Sequence, residues 1–477
     1  MRRLALPLLV ALCCSCVGDA GSSSGGVPAP PVSDVGAVAA AETAPVAPDT
    51  VAPPAVPPSA TGSGAPGDVQ IPTPDQRPVF QRPQHVRALY LNAWAAGSTK
   101  RVDQLIELAR RTEVNAFVID IKDASGFVSH RTGVPVAKSI GATGEIRIRD
   151  LPGLLAKLEA ADIYPIARIV IVRDPVLAKA RPTLTIQDSA GGTWSDGKGI
   201  IWMNIANRDL WDYHLDLAEE VVKLGFPEIQ WDYVRFPDAP RGQMARARFP
   251  GTNGRSKEDV VGGFLDYADQ RLDSLGLDVV HTADVFGITT STVDVGIGQV
   301  WEKFIDKVDY ALPMVYPSHY YRGSFGYDKP NSFPYEMVRK ALERALERSK
   351  TVPGAGQIRP YLQDFTLGQP AYGAPEVRAQ IQATYDAGIQ DWVLWNAGSH
   401  YTEDALQPEG GWKKEPTLRV GNKLVPMSER FDALKSPAAS APAPKREEPR
   451  PQRIEPRVLD ADSLRRWLDS VNSAKDR

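Results

Sequence analysis

Between about residues 83 and 434, short apolar runs alternate with amphipathic stretches, and the order does not break. The apolar runs are VRALYLNAW (86–94), VNAFVIDIKD (114–123), YPIARIVIVRD (164–174), EIQWDYVRFP (228–237), DVVHTADVFG (278–287), YALPMVYPSHY (310–320), IRPYLQDFTLG (358–368) and IQDWVLWNAGS (389–399). Their length and their β-branched and aromatic content predict strands. The stretches between them, STKRVDQLIELARRTE and PYEMVRKALERALERSK among them, carry apolar residues at helical spacing. Ser98 and Asn207 stand where helix N-caps belong, and Gly225, Gly276 and Gly388 stand where helices stop. Eight strands separated by helices predict a parallel sheet with right-handed crossovers, closed into a single (β/α)8 barrel. The alternative is an open doubly wound sheet, but no strand is followed by the glycine-rich phosphate turn of that fold.

Strand parity then sorts side chains between the helices and the barrel axis. In the second strand Phe117, Ile119 and Ile121 are expected to face the helices, which turns Ala116, Val118, Asp120 and Lys122 inward. In the fourth, Gln230 and Asp232 turn inward by the same rule. The fifth strand ends near Asp284, the seventh at Gln363 and Asp364, and the first at Asn92 and Trp94. The third carries Arg168 and Arg173, and the sixth and eighth end in Tyr316, His319, Tyr320, Trp395 and Asn396. In a barrel of this kind the C-terminal strand ends hold the active site. A rim of carboxylates interleaved with rings and amides suits a sugar: aromatic faces stack on pyranose C–H surfaces, and two carboxyls share acid and nucleophile duties. A buried unpaired carboxylate is costly, so Arg235 is expected to hold Asp232 ionised. Asp120, Lys122 and Arg168 also read as an internal charge network. His281, mid-strand, reads more simply as a core histidine, and Trp202 equally as a sugar platform or as loop packing.

The stretches FVIDIKDASG, PIARIVIVRDP, EIQWDYVRFP and ALPMVYPSHY resemble the bacterial family of glycosyl-hydrolase-like domains of unknown function with a TIM-barrel fold. The resemblance covers nearly all of residues 86–400, and DYVRFP (232–237) is its most specific element. The family is distantly similar to the alpha-amylase-like barrels, which implies Asp232 as nucleophile, Asp284 as general acid and Asp364 as transition-state stabiliser. The chain departs from those enzymes at Asp284, where they carry the longer glutamate. Asn92, Trp94, Asp120, Lys122, Arg168, Arg235, Tyr316, His319, Gln363, Trp395 and Asn396 are then the expected substrate-binding residues. The implied activity is hydrolysis of O-glycosyl bonds in a polysaccharide or oligosaccharide. The competing reading is a carbohydrate-binding barrel without catalysis. A metal-dependent hydrolase is disfavoured, because the six histidines lack ligand spacing. No cofactor and no metal are expected.

The ends of the 477-residue chain differ from its centre. Residues 1–16, MRRLALPLLVALCCSC, have two arginines, a short apolar run and Cys16 after Ser15, the pattern of a secretory signal with a lipobox. Cys13 stands where a lipobox usually has leucine, and all three cysteines lie in this segment. Lipidation at Cys16 and an extracytoplasmic, membrane-anchored location are expected. Residues 17–82 read as a Pro/Ala/Gly/Ser-rich linker, residues 83–434 as the barrel, and residues 435–477 as a Pro-rich charged linker with a short amphipathic helix. In that helix Leu459, Leu464, Trp467, Leu468 and Val471 can share a face. A net charge of −3 gives no reason to expect nucleic acid.

Overall fold

The computed structural model describes residues 69–291 and 295–435. Its main sheet comprises β1 (Arg87–Leu91), β2 (Ala116–Lys122), β3 (Tyr164–Val170), β4 (Glu228–Asp232), β5 (Val280–Phe286), β6 (Tyr310–Met314), β7 in two pieces (Gln357–Ile358 and Tyr361–Gln363) and β8 (Trp392–Trp395). Each strand pairs in parallel with the next, and β8 returns to β1 with Ala88 opposite Val393. The expected (β/α)8 barrel is therefore present. The break in β7 falls at Arg359 and Pro360, where proline removes a ladder donor.

The parity argument holds along most strands. Phe117, Ile119, Ile121, Ile229 and Trp231 are buried in the layer between strands and helices. Ala116, Val118, Ile166, Leu312, Tyr361 and Val393 fill the axis. Helix Thr99–Arg111 is capped by the Ser98 side chain and helix Arg208–Leu224 by Asn207. The latter stops at Gly225, whose φ of 125° suits a residue without Cβ.

Four features depart from the sequence reading. The stretch WEKFIDKVD forms only one helical turn, Trp301–Phe304. After β8, an antiparallel hairpin (Thr417–Val420 with Lys423–Pro426) packs on helices Pro334–Ser349 and Ala374–Asp386. Residues 69–82, assigned by composition to the linker, include Phe80, which packs on the axial cluster, and Arg82, 4.9 Å from the Tyr310 ring. The strands also end earlier than their apolar runs, which leaves Asp364 and Asn396 on loops and His319 in a 3-10 turn, Pro317–His319. A two-residue pairing of Gln187–Asp188 with Ala247–Arg248 ties the loops after β3 and β4 together. Among the described residues no helix is long and apolar enough to cross a membrane. The signal segment, Cys16, linker residues 17–68 and the helix containing Trp467 lie outside the described residues.

Candidate active site

Register builds the site. Asp120 on β2 stands opposite Arg168 on β3, and Arg168 stands opposite Gln230 on β4, so these three side chains form one layer across the axis. One layer nearer the C-terminal mouth, Asp232 closes β4 and Asp284 approaches it from β5. Arg168 joins the layers. Its Nη1 donates to Asp120, its Nε donates to Asp232 Oδ2 at 3.1 Å with Nη2 on the same oxygen, and Asp284 Oδ2 lies 3.7 Å from Nε. The Tyr90 hydroxyl donates to the other oxygen of Asp120. Gln230 donates through Nε2 to Asp284 Oδ2 at 2.9 Å and to the Tyr361 hydroxyl at 2.7 Å. Trp395 stacks on Tyr90 with centroids 3.9 Å apart, and the Arg168 guanidinium lies 5.2 Å from the Trp395 ring.

The carboxyls occupy unlike settings. Asp232 takes two N–H groups of Arg168 on Oδ2 and the Tyr233 amide on Oδ1. Asp284 has one donor, Gln230, and its buried Oδ1 has no hydrogen-bond partner. Burial, then the charge of Asp232, raise the Asp284 pKa well above the usual carboxylate range, against the pull of Arg168. Burial, opposed by Arg168, raises the Asp120 pKa to about 6. Both are buried, Asp232 5% exposed and Asp284 2%. Cavities of about 580 and 520 Å³ lie elsewhere, against residues 69–76 and against helix Thr99–Arg111.

The expected residues divide. The structure brings Asp120, Arg168, Asp232, Asp284 and Trp395 together. Tyr316 is buried among the axial side chains beside them, and burial holds its hydroxyl well above the usual tyrosine range. Asp364 stands apart, with both oxygens accepting from Thr402, at 2.7 Å from the hydroxyl and 2.8 Å from the amide. Asn396 donates to the Asp364 carbonyl at 2.6 Å, Asn92 caps its own helix and donates to the Ala397 carbonyl, and Gln363 bonds Phe365 and Ser318. These amides brace the loops. Trp94 is 40% exposed at the mouth, with Arg147 5.5 Å from its ring. His319 packs on Tyr316 and Phe365, and burial lowers its pKa to about 4.

Two expectations change. Lys122 was placed on the axis with Asp120, but the β2–β3 register slips between them, and its Nζ lies instead 3.0 Å from Asp174 and 2.8 Å from the Val170 carbonyl. Arg235 does not reach Asp232. The left-handed backbone of Tyr233 (φ 55°) turns the chain, and Arg235 bonds the Phe236 carbonyl and Asp238. Trp202 is buried under Arg173 and Arg235 rather than open to a sugar. Tyr90, Gln230 and Tyr361 were not among the expected site residues, although each lies two positions before one that was (Asn92, Asp232 and Gln363) and shares its parity. Among the described residues there is no cluster of three or more metal-ligating side chains.

Residues 88–401 match the family described as "Putative glycosyl hydrolase domain". Among curated proteins no sequence match is found. Among solved structures, a hypothetical protein from Ruminiclostridium thermocellum ATCC 27405 is 36% identical over 41% of this chain and 97% of its own, with a TM-score of 0.38. The glycoside hydrolase domain of PgaB (BpsB) from Bordetella bronchiseptica is 13% identical over 66% of this chain and 95% of its own, with a TM-score of 0.47. A noncanonic maltogenic alpha-amylase, AmyB from Thermotoga neapolitana, is 12% identical over 58% of each chain, with a TM-score of 0.35. The matched span holds Asp120, Arg168, Asp232 and Asp284 together, and the chain belongs to this family of glycosyl hydrolase domains.

Proposed function

We propose that the barrel hydrolyses glycosidic bonds of a polysaccharide or oligosaccharide, with Asp284 as proton donor and Asp232 as the carboxylate facing the anomeric carbon. The observation that carries this reading is the unlike setting of two carboxyls beside one guanidinium: Asp232 is supplied with N–H donors, and Asp284 is starved of them. Environments that push two carboxyls apart assign acid and base between them. Tyr90 and Trp395 supply a stacked aromatic wall and Trp94 an exposed face at the mouth. Asp364, held by Thr402, supports the loop after β8 rather than the reacting atoms. A signal segment with Cys16 as lipid acceptor would place the barrel outside the cytoplasm on a membrane.

The near-complete enclosure of Asp120 and Asp284 favours a second reading, a carbohydrate-binding barrel without turnover. One experiment separates the two. The protein is incubated with a panel of bacterial and plant polysaccharides, and reducing ends are measured for wild type, Asp232→Asn and Asp284→Asn. Release that falls by roughly 10²–10⁴ in each variant is expected for an acid–base pair. Binding without release by wild type would favour the second reading.

A further inference from the structure

Beside Asp232, the loops after β3 and β4 set two arginines around one pair of rings. The Arg173 guanidinium lies 5.4 Å from the Trp202 ring centroid and 5.6 Å from that of Tyr233. That of Arg235 lies 4.8 Å from Trp202, 5.2 Å from Tyr233 and 4.4 Å from Phe286. Among the described residues Arg173 has no ion pair and no hydrogen-bond acceptor. Arg235 bonds only through Nη1, to the Phe236 carbonyl at 3.1 Å and to Asp238 at 3.2 Å, a side chain 42% exposed. Like charges around the same rings repel, and the arrangement persists without a strong protein anion to relieve it. A guanidinium held against a ring is fixed in place while its in-plane N–H donors stay free, a fork that matches a carboxylate. Tyr233, which both cations approach, directly follows Asp232.

We propose that Arg173 and Arg235 form a subsite for a carboxylate carried by the substrate, so that the glycan engaged here contains acidic sugars. The position of this subsite relative to the cleaved bond rests on the glycosidase reading; its anion preference does not. The test is affinity electrophoresis of the full chain through gels containing polygalacturonate, hyaluronate or alginate, each compared with its carboxyl-reduced form. The wild type is expected to be retarded by at least one acidic glycan, with affinity at least about tenfold weaker for the reduced form. Arg173→Gln should weaken binding of the acidic glycan about tenfold, and Arg173→Lys, which keeps the charge but loses the fork, should restore only part of it. Melting curves confirm that each variant is folded, and Arg235→Gln, with the same loss expected, provides a second position should Arg173→Gln not fold. Equal binding of acidic and reduced forms, no binding to any of the three, or wild-type affinity in folded Arg173→Gln would overturn the inference. Reducing-end release on the same panel is scored separately. Charge-dependent binding with no release retains the subsite and rejects the glycosidase reading, whereas release indifferent to the carboxyls does the reverse.

Discussion

Arg168 reaches Asp120, Asp232 and Asp284 at once, and it does so across the sheet rather than along a strand. The residue whose titration best reports this network is Asp120, because its pKa is raised from 3.8 to about 6. The folded chain keeps that proton over a range in which the unfolded chain has lost it. The stability this contributes is full below the ordinary value and is lost as pH rises through about 6. A change of about 2 units corresponds to about 3 kcal/mol. Asp120→Asn cannot titrate, so the wild type should lose about that much stability relative to it between about pH 4 and about pH 7. Urea unfolding of both proteins at the two pH values measures the gap, and a constant or widening advantage of the wild type would reject the assignment. Strand parity made the inward turn of Asp120 and Asp232 legible from the sequence, and the end of the fifth strand placed Asp284 near them. It failed at Lys122, because a slip in register reverses parity and no residue type announces it. It could not pair Asp232 with Arg168, since a partner on another strand is fixed by register rather than by spacing.

β4 ends at Asp232 because Tyr233 adopts a left-handed backbone, a conformation that costs a residue with a Cβ about 1–2 kcal/mol. The turn brings the Tyr233 amide onto Asp232 Oδ1 and carries Arg235 away to its own partners. Tyr233→Gly and Tyr233→Val both remove the ring and its contacts with Arg173 and Arg235, but only glycine is at ease with this backbone. Tyr233→Gly should therefore be more stable than Tyr233→Val by roughly 1–2 kcal/mol in denaturant unfolding. Equal stabilities would mean that no backbone strain is held there. Tyr233 is a bulky aromatic inside an apolar run, and its residue type predicts extended backbone. The strand end was thus hidden, while the Gly225 helix stop, where residue type and backbone agree, was plain. The same conflict between type and context explains WEKFIDKVD, whose apolar spacing suits a longer helix than the single turn formed.

The two ends of the barrel carry separate buried charge networks, and β4 belongs to both. Its first residue, Glu228, is fully buried against Arg359, which also lies 3.9 Å from Asp391 and 4.3 Å from the Tyr310 ring. Its last residue, Asp232, opens toward the mouth. In barrels of this class the C-terminal end does the chemistry and the N-terminal end sets stability. Four positions apart on one strand, the two acids should then behave oppositely. Glu228→Gln leaves the buried Arg359 charge short of its partner, which should lower stability by roughly 3–5 kcal/mol. The folded fraction, assayed well below its melting temperature, should still release reducing ends at the wild-type rate. Asp232→Asn leaves the burial of Asp284 but removes the charge that adds to it, which eases ionisation of Asp284 beside Arg168 in place of the lost partner. Its melting temperature should be unchanged or higher, while release is lost. Melting curves and initial rates on the same two proteins decide the matter. If stability and release fall together in both, the two ends are one network and Asp232 is as structural as Glu228; if they separate, the position of an acid along a single strand determines which of the two tasks it performs.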